Sequence, residues 1–126
     1  MDFSLFYILH RPEGMSDAQV YQEAIEQSVA ADELGFKCVW FAEHHFSQVG
    51  MVPDPLILCA AVAQKTKRIR LGTAISIMSF HNPVRLAEQA AMVDVLSGGR
   101  LDLGVGRGSQ PREFSGFEAK PSESRA

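Results

Sequence analysis

Along the chain, short runs that are apolar at nearly every position alternate with longer stretches that are apolar at helical spacing. Phe3 to Leu9 is an aromatic and β-branched run that predicts a buried strand. A helix follows, with Ser16 as its cap, Gln19 closing a capping box, and Val20, Ala24, Ala31 and Leu34 supplying one apolar face. Leu34-Gly35-Phe36 ends it in the manner of a Schellman turn. Cys38 to Ala42 is apolar throughout, which suits a second strand covered on both faces. Asp54-Pro55 opens a second helix that continues from Leu56 to Gln64, and Arg70 to Ile75 reads as a third strand. Asn82-Pro83 repeats that opening for a helix through Leu86, Ala90, Val93 and Leu96, stopped by Ser97-Gly98-Gly99. Leu101 to Val105 is then a fourth strand.

With strands starting near Phe3, Cys38, Arg70 and Leu101, the intervals are 35, 32 and 31 residues, each close to one β-α unit. Such alternation requires parallel strands and right-handed crossovers. The fold class is therefore α/β, either a doubly wound open sheet or a (β/α) barrel. A whole barrel takes eight strands and about 250 residues, so a chain of 126 residues accommodates four of its units. After Phe117 the polar stretch from Glu118 to Ala126 reads as a loop.

Composition narrows the partners. A hydrophobic content of 46% supports a single core and one domain over residues 1–126. The net charge of -3 arises from interspersed acidic and basic residues with no basic tract, which argues against nucleic acid. Cys38 and Cys59 lie in apolar runs, the pattern of buried free thiols in a cytoplasmic protein. The first residues lack a positive flank and reach His10-Arg11 well short of the roughly 18 apolar residues of a span. Neither a signal peptide nor a membrane segment is expected.

In both parallel architectures ligands gather beyond the carboxyl ends of the strands. That rule brings His10, Glu43-His44-His45, Ser76 to His81, and Gly106-Arg107-Gly108 around one mouth. A glutamate followed by two histidines places an imidazole that exchanges protons near neutral pH beside a carboxylate able to orient it. Neighbouring strand residues point to opposite sides, so one of the two histidines faces the mouth. The alternative is that both imidazoles pack or anchor loops. Zinc is disfavoured, because adjacent histidines do not easily share one metal. Gly104 to Gly108 either lets backbone amides approach an anion that Arg107 grips, or eases tight packing and a turn. It is not a dinucleotide fingerprint, since Ser109 replaces the last glycine and the run follows the fourth strand. Gly72-Thr73-Ala74 either admits a flat ring against the backbone or reflects close strand packing.

Five segments carry a resemblance when taken together: Trp40-Phe41-Ala42-Glu43-His44-His45-Phe46, Arg70-Leu71-Gly72-Thr73-Ala74, His81-Asn82-Pro83-Val84-Arg85-Leu86-Ala87-Glu88, Ser97-Gly98-Gly99-Arg100-Leu101, and Gly104-Val105-Gly106-Arg107-Gly108. In order and spacing they resemble the bacterial luciferase superfamily over almost the whole chain. The resemblance implies a (β/α)8 TIM-barrel type fold, of which this chain holds the N-terminal half. It also implies reduced flavin mononucleotide (FMN), or a deazaflavin in some branches, at the barrel mouth. It assigns His44 as the catalytic histidine with Glu43 as its acidic neighbour. Ala74 falls at the flavin ring, where the family often carries a non-prolyl cis peptide, and Arg107 and Arg125 fall at the flavin phosphate. The implied activity is a flavin-dependent monooxygenase that uses dioxygen on a small organic substrate, served by a separate flavin reductase. Two alternatives remain, a deazaflavin-dependent oxidoreductase that moves hydride without oxygen, and a non-catalytic half-barrel for assembly or flavin storage. Gly106 stands where luciferase carries a reactive cysteine, so light emission is not implied. Open first and fourth strands predict a homo-oligomer.

Overall fold

A computed structural model describes residues 1–121. The elements run β1 (Ser4–Tyr7), α1 (Asp17–Glu33), β2 (Cys38–Phe41), α2 (Pro55–Ala63), β3 (Arg70–Ile77), a 3-10 turn (Met78–Phe80), α3 (Pro83–Ser97), β4 (Leu101–Gly106) and α4 (Pro111–Gly116). All neighbouring strands pair in parallel, in the spatial order β1-β2-β3-β4. A doubly wound sheet reverses its strand order at a switch point. No reversal occurs among these strands, so the order is that of a barrel wall.

The helix boundaries follow from local chemistry. Ser16 accepts from the Gln19 backbone and Gln19 returns a bond to the cap, the expected capping box. Gly35, at φ +80°, completes the Schellman turn: Phe36 N–H donates to Ala31 O at 2.9 Å and Gly35 N–H to Asp32 O at 3.3 Å. Asp54 and Asn82 cap α2 and α3 with proline behind each. Two apolar positions of the expected helices lie outside the buried faces. Leu34 is the exposed C-cap of α1, and Leu96 is exposed because the buried stripe of α3 continues from Val93 to Ser97. That stripe follows the i, i+4, i+7, i+11 spacing, and Leu96 sits about 100° away from it.

Register divides the sheet into two faces. Leu5, Val39, Leu71 and Leu101 lie side by side and pack against the helices, with Phe41, Leu56, Cys59, Val62 and Leu86 in the same core. Phe6, Trp40, Gly72 and Asp102 share the opposite face. There Phe6 is exposed. Both thiols are buried and free, and burial first of all pushes each up to about 12. Neither is a nucleophile at neutral pH.

At the amino-terminal rim of the sheet two polar anchors tie helices to strands. Asp32, buried near the end of α1, accepts from the backbone N–H groups of Lys67, Arg68 and Ile69 at 2.9, 3.0 and 2.7 Å, just before β3. Arg100 donates to Ala63 O, Ile69 O and Ser97 O, each within 2.9 Å, and so joins α2, α3 and the start of β4. Among the described residues, no helix is long and apolar enough to cross a membrane.

Candidate functional site

Beyond the carboxyl ends, main-chain pairing continues past β2: Ala42 N–H donates to Tyr7 O at 3.0 Å and Glu43 N–H to Ile75 O at 3.3 Å. This carries Glu43, His44 and His45 to the mouth in a fixed orientation. Glu43 is 2% exposed. Its Oε2 accepts from Ile77 N–H at 2.9 Å, and its Oε1 lies 2.9 Å from His45 Nε2 and 3.0 Å from His81 Nε2. Glu43 therefore ties together β2, the end of β3 and the residue that follows the 3-10 turn.

His44 belongs to a different pair. Its Nδ1 lies 3.0 Å from Glu113 Oε1, and the same oxygen accepts from His45 N–H at 3.0 Å. Glu113 is fully buried in α4, and its Oε2 has no hydrogen-bond partner among the described residues. The His44 side chain is 28% exposed, against 10% for His45. The carboxylate next to the histidines in the sequence thus orients His45, while a carboxylate 69 residues away orients His44. Adjacent residues on an extended backbone point opposite ways, which sends the two rings to different partners. His45 is walled in by aromatic rings, with Phe117 edge-on at 4.6 Å and Phe80 edge-on at 5.7 Å. Phe80 stacks on Phe117 at 4.7 Å.

The glycines of the site are explained by packing. The flat ring that lies against Gly72 is the chain's own Trp40, whose Cε3 would stand 2.1 Å from an added Cβ. A Cβ at Gly104 would strike Thr73 O, and one at Gly106 would strike Ile75 Cδ1, each at 2.2 Å. The Thr73 hydroxyl bridges to β4, donating to Gly104 O at 2.7 Å and accepting from Gly104 N–H at 3.0 Å. Between Thr73 and Ser76, β3 carries one residue more than β4, a bulge that contains the cis peptide Ala74-Ile75.

Of the residues singled out in the sequence, Glu43, His44 and Arg107 lie just past the carboxyl ends of β2 and β4, while Ala74 lies inside β3, before its end at Ile77. Ser79 Oγ donates to Arg107 O at 2.8 Å, fixing that turn, and the Arg107 guanidinium has no carboxylate partner among the described residues. Arg125 lies outside the described residues. His10 is bridged to Val49 in the loop over β1. Glu113 is the functional candidate that the sequence did not reveal. His81 stood within the expected strand-end cluster but had no assigned partner. Glu113 sits in α4, a six-residue helix whose one sequence signal is Pro111 at its first position.

A parallel wall in strand order with a polar cluster at its carboxyl ends defines part of a (β/α) barrel with its site at the mouth. The luciferase-like monooxygenase family model matches residues 1–126, and the chain belongs to that family. It is 40% identical over 115 residues to the oxygenase component of the flavin-dependent trigonelline monooxygenase of Acinetobacter baylyi, covering 90% of this chain and 32% of that protein. The crystal structure of monooxygenase RslO1 from Streptomyces bottropensis superposes with a TM-score of 0.94 at 40% identity, covering 99% of this chain and 39% of that one. The oxygenating constituent of 3,6-diketocamphane monooxygenase from Pseudomonas putida, in complex with FMN, gives a TM-score of 0.88 at 26% identity, over 93% of this chain and 32% of that one. The fold is thus the first four β-α units of a luciferase-like TIM barrel, and the chain spans about a third of the curated relatives it matches, 36% and 32% of the first two.

Proposed function

We propose that this chain, as the N-terminal half of the barrel, supplies the proton-handling side of a flavin-dependent monooxygenase that oxygenates a small organic substrate with dioxygen and reduced FMN. The observation that carries this reading is His44, a partly exposed imidazole at the strand ends, anchored by a buried carboxylate through one nitrogen. The other ring nitrogen is left to exchange a proton with a bound molecule. Reduced FMN supplies the two electrons that let one oxygen atom enter the substrate while the other leaves as water.

The chain's own residues orient and bind. Glu43 holds His45 and His81 in place and so shapes the mouth. The Arg107 guanidinium, free of carboxylate partners among the described residues, suits an anion such as the flavin phosphate. Arg125 is assigned the same role by resemblance, and Ala74, at the bulge of β3, the contact with the flavin ring. The description of one relative as an oxygenase component supports a separate reductase as the source of reduced FMN. The open edges of β1 and β4, with Phe6 exposed on the face away from the helices, support self-association.

Anaerobic calorimetric titration with reduced FMN tests the reading. Binding is expected, weakened roughly tenfold or more in Arg107→Ala by the loss of a charged hydrogen bond. Preference for reduced deazaflavin would favour the hydride-transferring alternative, and binding of neither would favour the non-catalytic one. With FMN bound, His44→Ala should lower oxygenation by roughly 100 to 10,000-fold. An unchanged rate would remove His44 from the chemistry.

A further inference from the structure

Two adjacent imidazoles compete for the proton-exchanging role, and their carboxylate partners separate them. His45 faces Glu43 through Nε2 and is closed in by Phe46, Phe80 and Phe117. His44 faces Glu113 through Nδ1 and retains an exposed edge. The Glu113 oxygen in that contact already accepts the His45 backbone N–H. Where it meets His44 as an acceptor too, the hydrogen between them belongs to Nδ1.

We infer that Glu113, carried by α4, is the positioning residue that holds His44 in its Nδ1–H tautomer and leaves the Nε2 lone pair free to take a proton. Nε2 has no protein partner among the described residues. A second observation points the same way. Glu113 Oε2 is buried with no hydrogen bond among the described residues, a costly state for a group that serves only packing. An apolar side chain would fill that volume at lower cost, whereas only an acceptor can set the imidazole. Through this contact the docking of α4 determines the chemistry available at the end of β2.

The inference deepens the role proposed for His44 and rests on it, but its test needs no flavin. Long-range nitrogen-proton correlation spectra of the chain labelled in its histidines distinguish the two neutral tautomers, and the His44→Gln spectrum assigns the His44 signals. His44 is expected with Nδ1 protonated and Nε2 bare. Glu113→Gln retains an acceptor oxygen beneath the His45 N–H and preserves that tautomer. Glu113→Met removes the acceptor and shifts His44 toward the Nε2–H form. A wild-type spectrum showing His44 as Nε2–H overturns the inference, as does a folded Glu113→Met protein with the tautomer unchanged. If the Met variant does not fold, the wild-type and Gln spectra still decide, since loss of the Nδ1–H form in either one is fatal. Failure to bind flavin would leave these spectra standing, and the converse holds.

Discussion

Replacing Gly50 with alanine disturbs His44 while leaving the histidine itself untouched. Gly50 N–H and Met51 N–H both donate to Leu9 O, at 2.7 and 2.9 Å, which pins the loop across the end of β1. A Cβ on Gly50 would stand 2.5 Å from His44 Cβ and Cδ2 and 2.6 Å from Cγ. The nearest of these atoms is bonded directly to the His44 backbone, so no rotamer relieves the clash. Ordinary contact begins at 3.4 Å, and loop and strand end must part by about 0.9 Å. The φ of +77° at Gly50 adds strain of about 1 to 2 kcal/mol for an L-residue, and overpacking contributes about 1 to 3 kcal/mol. Gly98 isolates the two effects, because its φ is +71° while nothing lies within 4 Å of its added Cβ. In urea unfolding with unchanged m-values, Gly50→Ala should therefore lose about 1 to 3 kcal/mol more than Gly98→Ala. Displacement on the order of 1 Å at a reacting group costs about 100-fold in rate, so the flavin-bound protein should lose turnover as well. Equal stability losses in the two variants would refute the reasoning.

The remaining predictions concern pH and assembly. Asp32→Ala should cost about 1 to 3 kcal/mol, chiefly for the buried Ile69 amide, since those of Lys67 and Arg68 lie in exposed residues and regain water. Burial raises the Asp32 carboxyl, but the three backbone N–H groups and Arg68 outweigh it and hold the group below the usual aspartate value. A carboxyl depressed on folding stabilises above its unfolded pKa and loses that contribution as pH falls through the folded one. The deficit of Asp32→Ala should thus be full at neutral pH and shrink below about pH 4; a deficit constant down to pH 2 would contradict this. Sedimentation of the chain should show concentration-dependent self-association through the β1 and β4 edges, and a monomer at high concentration would count against it.

The frame of the fold was legible because its punctuation is local. Ser16, Asp54-Pro55, Asn82-Pro83 and Gly35 each act within four residues, and each ends or begins a helix where expected. β1 proved shorter than the apolar run, Ser4–Tyr7 rather than Phe3 to Leu9, because Gly50 and Met51 take the carbonyl of Leu9 into a loop contact. β3 runs on to Ile77 because the bulge after Thr73 restores its pairing with β4. The site was legible only in part. Glu43, His44 and Arg107 stand out as candidates by type and position, but Glu113 reaches His44 across 69 residues of chain, and no local pattern encodes such a pairing. For the glycines the packing alternative is the one the structure shows: the flat ring against Gly72 is Trp40.

The indole resting on Gly72 is the sole tryptophan of the chain. It lies on the sheet face away from the helices, in register with Phe6 on β1. Its emission therefore reports on one surface alone: a blue shift would signal that the face has been covered, and quenching would signal that an absorbing ring has come close. The molecule carries its own optical gauge for the surface on which a barrel would close.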